Sequence, residues 1–357
     1  MTRVALLGFG TVGSAVARRL LTSDLVVSPV SPVSPVRIAL THIFDRHADE
    51  KSSTFGASPG SAGVTWTTRI DDVLRSDVDI VIEAVGGIEP AAAWARQSLA
   101  AGKSVVTVNK QVVARHGAAL WRLAARQGRQ FRFEGAVGGA MPIVRAVADG
   151  LAGDRLTRIV AILNGTTNTV LSEMDATGCT MSAALADARG RGFAEADPRA
   201  DLDGEDARAK LAILCALAFG VDLDPRAIAV RSASGIGPGD FERARRRNGT
   251  VRQIAHAEYD WSRSSLTAWV APVVVPAQSI FGMAVGAQNV ALIAGEHSGE
   301  VGIFGAGAGG AATAVAVIGD VASIARDRAA IVPPPRLSSG FTMRLAELPT
   351  LSFAEAV

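Results

Sequence analysis

Residues 3–21, RVALLGFGTVGSAVARRLL, decide the fold of the first part of the chain. A short apolar run leads into a glycine-rich hexamer, and an amphipathic segment follows. The spacing G-x-G-x-x-G between a strand and a helix is typical of dinucleotide binding, because its glycines permit a tight turn and close approach to a pyrophosphate. We predict a Rossmann-type nucleotide site here, with a glycine turn that binds no ligand as the alternative. The predicted cofactor-binding residues of the motif are Gly8, Phe9, Gly10, Thr11, Val12 and Gly13.

The sequence after this motif continues to alternate strand-like and helical segments. A second strand is expected over residues 36–44, and apolar runs at 79–85 and 104–108 are flanked by helical sequence. This alternation predicts an α/β fold with a doubly wound parallel sheet, in which ligands bind beyond the carboxyl ends of the strands. Gly86 and Lys110, which follow two of these strands, are therefore placed at the cofactor, with Lys110 next to the nicotinamide. A plain surface lysine is the alternative for Lys110.

The end of the second predicted strand bears on the choice of cofactor. Asp45 stands where an acidic residue usually accepts a hydrogen bond from the ribose 2′-hydroxyl of NAD. Arg46 follows it, and an arginine there can accommodate the 2′-phosphate of NADP. The cofactor is therefore NAD or NADP, with a weak preference for NAD.

The stretch from 188 to 210, ARGRGFAEADPRADLDGEDARAK, brings acidic residues and a lysine to the start of an apolar helix. Asp206 and Lys210 are one helical turn apart, and Lys210 lies on the stripe that apolar residues continue. Burial disfavours the ammonium form, so a buried lysine can act as an acid or base near neutral pH. In the alternative interpretation, Asp203 caps the helix, Asp206 is its third residue and Lys210 is an ordinary salt-bridge partner.

Composition excludes several classes of function. The net charge of the 357 residues is +2, and no basic run is interleaved with aromatic residues, so we expect neither nucleic acid nor membrane as a partner. The arginines at 243–247 are expected to form a solvated helix face. No apolar stretch is long enough to span a bilayer, and the two cysteines form no metal or redox motif, so we predict a cytoplasmic location. The SPV repeat at 28–36 is predicted to be an extended surface insertion.

Seven motifs along the chain are similar to those of the homoserine dehydrogenase family. They are, in order, GFGTVG, EAVGGIEP, AGKSVVTVNK, EGAVGGAMPIVRA, ILNGTTNTVL, the acidic stretch at 188–210 and IFGAGAGGAATAVAVIGD. The resemblance implies NAD(P)-dependent interconversion of L-aspartate 4-semialdehyde and L-homoserine, in the biosynthesis of threonine and methionine. It also implies a homodimer.

The resemblance assigns roles to residues by position. Lys210 and Asp206 act at the reacting hydroxyl, and Lys110, between nicotinamide and substrate, is a second candidate for moving the proton. The implied substrate-binding residues are Glu195, Gly165, Thr166 and Asp201, although Asp201 is also a candidate turn residue like Asp187, Asp197 and Asp203. Gly307 and Gly309 complete the cofactor site. A structural monovalent cation such as sodium is implied at Glu134, Val137, Gly139 and Met141, with a glycine turn that binds no ion as the alternative.

The resemblance also implies a domain layout. Residues 1–130 form the nucleotide domain, 131–310 an α+β substrate-binding and dimerisation domain, and 311–330 a helix that returns to the nucleotide domain. Residues 331–357 resemble the start of a regulatory ACT domain, and we expect no complete effector site there.

Two departures from the family pattern keep alternatives open. Phe193 stands where a tyrosine is common, and Ala306 replaces a frequent proline. A related dehydrogenase with a different small hydroxy or amino acid substrate is therefore one alternative. A nucleotide-binding regulator without catalysis is another, although the expected mark of it, loss of Lys110, Asp206 or Lys210, is absent from the sequence.

Overall fold

The computed structural model describes residues 1–21, 37–55, 63–327, 335, 337–346 and 348–349. The SPV repeat lies outside the described residues, as does the end of the tail. The strands are β1 Thr2–Leu7, β2 Ile38–Phe44, β3 Thr65–Thr67, β4 Ile80–Glu83, β5 Ser104–Thr107, β6 Phe131–Arg132, β7 Leu156–Ile162, β8 Ala229–Val230, β9 Gly249–Asp260, β10 Ser265–Pro276, β11 Gln288–Gly295, β12 Gly299–Ala306 and β13 Thr342–Met343. The α-helices are α1 Thr11–Leu21, α2 Ala48–Phe55, α3 Ile70–Leu74, α4 Ala91–Ala100, α5 Lys110–Arg126, α6 Ile143–Arg145, α7 Gly165–Thr177, α8 Met181–Gly190, α9 Arg199–Leu202, α10 Glu205–Phe219, α11 Pro238–Arg245 and α12 Gly310–Arg326.

The chain divides into two compact units. Unit 1 comprises Met1–Ala136 and Gly309–Pro335, and unit 2 comprises Val137–Ala308 and Arg336–Val357. The chain therefore enters unit 2 and returns to unit 1 in helix α12. That helix packs closely on α1, since a β-carbon on Gly310 would lie 2.7 Å from the carbonyl oxygen of Thr11.

Unit 1 is built on a parallel sheet. Within the described residues the sheet has six strands in the order β3-β2-β1-β4-β5-β6, with every pair parallel. This is the order of a doubly wound dinucleotide fold, and the predicted fold class is confirmed. Strands β1 and β4 and helices α1 and α12 share one apolar core, which includes Leu6, Ile82, Val16 and Val317. Because the strand order reverses between β1 and β4, the loops after these strands flank a ligand crevice.

Unit 2 is built on a mixed sheet. The described strands follow the order β12-β11-β7-β9-β10-β13, and β8 pairs separately with β10. Successive residues of β10 enter different cores: Val273 and Val275 pack on one face with Ile254, whereas Val274 packs on the other with α7 and α11. Both faces of β10 are therefore buried, which explains its nearly continuous apolar sequence.

The start of α10 differs from the capping alternative. The N-cap residue is Gly204, with φ of 78°, and Asp206 is the second residue of the helix. A β-carbon at position 204 would lie 2.8 Å from Val230, so the close packing there requires glycine. The interpretation of Asp203 as the N-cap is therefore wrong. Asp203 instead ends α9, and its carboxylate accepts a hydrogen bond from the hydroxyl of Ser232 at 2.6 Å.

The C-terminal tail contains the short strand β13. Its residues Thr342 and Met343 pair in parallel with Ser265 and Leu266 of β10. Leu345, just after this strand, is fully exposed. In the described part of the chain, no helix is both long and apolar enough to cross a membrane.

Candidate active site

The glycine turn between β1 and α1 combines two tight contacts with one open position. A β-carbon on Gly13 would lie 2.0 Å from the carbonyl oxygen of Gly8, and one on Gly8 would lie 2.6 Å from that of Ala84. By contrast, nothing lies within 4 Å of a β-carbon on Gly10. Gly8 and Gly13 are therefore required by close packing within the protein, whereas Gly10 leaves open space beside the N-terminus of α1. Such a helix start, with its free N–H groups, fits the pyrophosphate of a dinucleotide.

Asp45 lies after β2 and is hydrogen bonded to the glycine turn. Its carboxylate accepts from the Phe9 backbone N–H at 2.7 Å, from the His47 N–H at 2.9 Å and from Nζ of Lys51 at 2.8 Å. Burial raises the pKa of Asp45, but these hydrogen bonds outweigh burial and the pKa is lowered. Arg46 is exposed. The carboxylate thus fixes the turn and holds the Lys51 ammonium beside it.

A buried carboxyl group lies under the loops after β4 and β5. Glu83 is fully buried; its Oε1 accepts from the Val85 N–H at 2.8 Å and its Oε2 from the Thr107 hydroxyl at 2.5 Å. Burial raises the pKa of Glu83, and hydrogen bonds from Thr107, Val85, Asn109 and Gly86 oppose that rise. The two loops therefore share one hydrogen-bonded centre at the carboxyl ends of neighbouring strands.

Lys110 is positioned by this same network. Asn109 caps α5, because its side-chain oxygen accepts from the N–H groups of Gln111 and Val112. Its side-chain nitrogen donates to the carbonyl oxygen of Gly87 at 2.5 Å. Lys110 is the first residue of the helix and is half-buried, while Gly86 is exposed with φ of 83°.

In unit 2, Asp206 and Lys210 form a buried ion pair. Nζ of Lys210 lies 2.8 Å from Oδ2 of Asp206 and donates to the carbonyl oxygen of Leu163 at 2.8 Å. The two residues are 6% and 9% exposed. The i,i+4 spacing predicted this pair, and the apolar helix α10 explains its burial. The acceptor on Leu163 comes from the end of β7, which the spacing does not reveal.

Asn164 connects this pair to a second carboxylate. Its side-chain nitrogen donates to Oδ2 of Asp206 at 2.9 Å and to Oδ1 of Asp201 at 2.7 Å. Its side-chain oxygen accepts from the Thr167 N–H at 2.7 Å and caps α7. The structure therefore brings Asp201, Asp206 and Lys210 together, and it does so through a residue that had no individual role in the sequence prediction.

The polar residues at 164–168 form the N-cap and first turn of α7. Helix α7 begins at Gly165, and Asn168 is buried, with its side-chain nitrogen donating to three carbonyl oxygens of the 284–288 segment. Thr166 is half-buried, and its hydroxyl donates to the carbonyl oxygen of Phe193 at 2.9 Å. Gly165 and Thr166 thus lie at a helix start, whereas Asn168 is a core residue.

Residues 191–198, between α8 and α9, form a loop in which the acidic residues are exposed. Glu195 is exposed, and Arg189 donates to its carbonyl oxygen at 3.3 Å. Phe193 is 37% exposed, and the guanidinium of Arg191 lies 5.3 Å from the centre of its ring. The carboxylates of Asp187 and Asp197 pair with Arg191 and Arg199, respectively.

The residues predicted to bind a cation are buried, and the two glycines predicted to complete the cofactor site differ in their packing. Glu134 is buried in unit 1, and Val137, Gly139 and Met141 are buried in unit 2. Among the described residues, no group of three or more His, Cys, Asp or Glu side chains could hold a metal ion. The Gly307 N–H donates to Ala287, and a β-carbon there would overlap Asn289, so packing alone explains this glycine. Gly309 precedes α12 with φ of 111°.

Three polar residues that organise these sites were not predicted from the sequence: Lys51, Glu83 and Thr107. Glu83 is the last residue of β4, and Thr107 is the last residue of β5. A polar residue that ends a buried strand at the ligand edge of a parallel sheet is a signal that could have identified these two. Lys51 gave no such signal, and the bonds of Asn164 to Asp201 and Asp206 could not be predicted either, because the partners lie on other elements.

Models of two protein families match most of the chain. The model described as "Homoserine dehydrogenase, NAD binding domain" matches residues 8–134, and the model described as "Homoserine dehydrogenase" matches residues 142–322.

Individual proteins give the same result. The chain is 36% identical to a homoserine dehydrogenase of Mycobacterium tuberculosis, over 97% of this chain and 76% of the relative. It is 37% identical to one of Corynebacterium glutamicum, over 91% of this chain and 72% of the relative. A crystal structure of a homoserine dehydrogenase from Thiobacillus denitrificans superposes with a TM-score of 0.86 at 30% identity, covering 96% of this chain and 79% of that one. A hyperthermophilic archaeal homoserine dehydrogenase in complex with NADPH gives a TM-score of 0.73 at 26% identity, over 90% and 97% of the two chains.

Proposed function

The chain belongs to the homoserine dehydrogenase family, and we propose that its interconversion of L-homoserine and L-aspartate 4-semialdehyde depends on Lys210 and Asp206. The observation that carries this proposal is the buried ion pair with its fixed acceptors. A buried ion pair is weak evidence for stability, since desolvation of two charges offsets much of their attraction. A role in moving a proton gives the pair a reason to be where it is.

The reaction moves a hydride and a proton. A nicotinamide dinucleotide, held through its pyrophosphate at the glycine turn between β1 and α1, would supply the hydride acceptor for oxidation of the carbinol carbon and the hydride donor for reduction of the aldehyde. In reduction the Lys210 ammonium donates a proton to the carbonyl oxygen and becomes the neutral amine, and in oxidation the neutral amine takes the hydroxyl proton and becomes the ammonium. An ammonium has three donor positions, and in the described structure Asp206 and Leu163 accept from two of them. We assign the third position to the substrate oxygen.

We assign the amino acid end of the substrate to the groups around this pair. Asp201 and Glu195 supply negative charge for the ammonium. The N–H groups of Gly165 and Thr166, in the first turn of α7, suit the carboxylate, because the first N–H groups of a helix have no partner within it. Lys110, at the start of α5 in unit 1, remains the second candidate for the proton transfer.

The protein uses a nicotinamide dinucleotide, and we propose that it favours NADP over NAD. Asp45 led us to expect a weak preference for NAD, but two observations support a preference for NADP. The Asp45 carboxylate already accepts three hydrogen bonds, and Lys51 and Arg46 lie beside it as cations for a 2′-phosphate. A solved relative is also a complex with NADPH.

Side-by-side rates of homoserine oxidation with NADP and NAD test both the function and the preference. We expect turnover with at least one cofactor, and a higher kcat/KM with NADP. The variant Lys51→Met should lower kcat/KM for NADP about tenfold, the value of one charge-assisted hydrogen bond, and leave that for NAD nearly unchanged. If kcat/KM fell equally with both cofactors, Lys51 would stabilise the glycine turn through Asp45 and would not contact the 2′-phosphate. Absence of turnover with either cofactor in folded protein would refute the function.

The homodimer implied by the resemblance is a further proposal, supported by an apolar surface on unit 2. Within the described sheet β12 is an edge strand, and Phe304 on it is 78% exposed. Phe304, Met283 and Ile280 line a groove of about 370 Å³ beside that edge. A second copy of the chain would cover this surface, and sedimentation should then give twice the mass of 36.8 kDa.

The monovalent cation and the cytoplasmic location remain predictions.

A further inference from the structure

We propose that Asn164 is a positioning residue for the reaction, which holds the Asp206 carboxylate and thereby the Lys210 ammonium in their working geometry. The inference rests on the proposed roles of Lys210 and Asp206. It adds a residue that acts through them, and it separates that role from the capping of α7.

The side-chain amide of Asn164 serves two functions with different atoms. Its oxygen accepts from the Thr167 N–H and caps the helix. Its nitrogen has two hydrogens, and each has a carboxylate acceptor, Asp201 at 2.7 Å and Asp206 at 2.9 Å. Capping requires only an acceptor, so the two donated bonds need a separate explanation.

The two carboxylates require a group with this chemistry between them. Two like charges that approach one nitrogen repel each other in a poorly solvated site. A neutral amide donates to both, and no other uncharged side chain of similar size offers two hydrogens from one atom. A serine hydroxyl has one hydrogen, and an aspartate at this position would add a third negative charge.

The consequence for Lys210 follows from shared atoms. Oδ2 of Asp206 accepts hydrogen bonds from both Asn164 and Lys210. The Asn164 amide therefore holds Oδ2 in place, and Oδ2 in turn holds Nζ of Lys210. The second acceptor of Nζ is the carbonyl oxygen of Leu163, the residue before Asn164. The Asn164 amide therefore holds one of the two acceptors that orient the lysine, and the other acceptor belongs to the residue before it in the chain. Loss of this orientation lowers the rate even if every catalytic group is still present.

The test uses two variants that retain the helix cap. Serine and aspartate are N-cap residues as effective as asparagine, so Asn164→Ser and Asn164→Asp both retain the helix cap. The unfolding temperature should fall more in Asn164→Asp, which adds a buried negative charge beside Asp201 and Asp206, and the rates are compared for folded protein. We expect kcat for homoserine oxidation to fall about tenfold or more in Asn164→Ser, and further in Asn164→Asp. The Kd for the nucleotide should not change, because the nucleotide is assigned to unit 1.

Two controls make the result decisive. Thr180→Ala removes the cap of α8, where the Thr180 hydroxyl accepts from the Ala183 N–H, and should lower stability without lowering kcat. Lys210→Ala is measured in parallel. If Lys210→Ala is inactive and either Asn164 variant, well folded, keeps kcat within twofold of the original, Asn164 is only a cap and the inference is overturned. If Lys210→Ala itself keeps its rate, the proposed function fails first.

Discussion

The chemistry proposed for this protein depends on two buried charged residues, Lys210 and Asp206. Lys210 and Asp206 are both nearly inaccessible, yet each has hydrogen-bonding partners beyond the other, in Leu163 and Asn164. Removing one member of a buried pair leaves an uncompensated charge and destabilises strongly. For this reason, a test of the pair has to separate loss of folding from loss of chemistry.

The buried His256 gives a prediction for the pH dependence of stability. It lies on β9, is 3% exposed and stacks on Trp269 of β10 with ring centres 4.9 Å apart. Among the described residues, neither ring nitrogen has a hydrogen-bond partner. Burial and, to a smaller extent, the charge of Arg158 lower the pKa of His256 to about 4.

The lowered pKa means that the unfolded chain binds the proton more readily than the folded one. The stability due to neutral His256 is therefore present above pH 6.5 and is lost as the pH falls toward 4. The variant His256→Phe should keep the stacking on Trp269. Between pH 7 and pH 5, its free energy of unfolding should fall by about 2 kcal/mol less than that of the original protein. Urea unfolding at the two pH values measures this difference. Parallel losses in both proteins would contradict it.

Some residue roles could be predicted from the sequence and others could not, for a physical reason. The pair Asp206 and Lys210 follows from helical spacing alone. Asn164 lies 42 positions before Asp206, and its contact depends on how β7 and α10 pack. Asp45 was expected to meet the ribose, but hydrogen bonds within the protein already engage its carboxylate. The sequence shows which groups are present, whereas these partners depend on tertiary structure.

The glycine turn between β1 and α1 is the element whose sequence is most tightly constrained. Gly13 packs against the Gly8 carbonyl, whereas Gly10 faces open space. These glycines therefore have different functions although the motif treats them alike.

We predict opposite effects for alanine at these two positions. Gly13→Ala places a β-carbon 2.0 Å from the Gly8 oxygen and should destabilise unit 1 by about 3 kcal/mol, the upper part of the range for overpacking. Gly10→Ala meets no protein atom, so it should unfold at or above the original temperature but bind nucleotide at least about tenfold more weakly. Thermal unfolding and nucleotide titration of both variants test this. Equal nucleotide affinity in Gly10→Ala and the original protein would contradict the assigned position of the pyrophosphate.

Element boundaries were predicted well where local sequence decides them. Strands β1, β4 and β5 and helices α1 and α5 lie where the alternation of apolar and helical segments indicated. The polar segment at 164–168 belongs to the start of α7, because Asn164 caps the helix and Gly165 is its first residue. The glycine at the start of α10 was missed because its packing partner Val230 is remote in sequence.

At the scale of the whole molecule, the chain contains two units with separate cores. The chain leaves unit 1 after Ala136 and returns at Gly309. The alternation of strands and helices does not show such a return, which was expected only from the family resemblance. Each unit holds one lysine candidate, Lys110 in the first and Lys210 in the second, and we assign the proton transfer to Lys210.

The most direct test of that assignment is the rate of homoserine oxidation by Lys210→Ala, measured together with its Kd for the nucleotide. General acid–base catalysis contributes about 10²–10⁴-fold, so we expect a loss of that size in kcat with unchanged nucleotide binding by folded protein. Lys110→Ala, measured alongside, should lose less in kcat. A Lys210→Ala variant that turns over homoserine within a few-fold of the original rate would contradict the account.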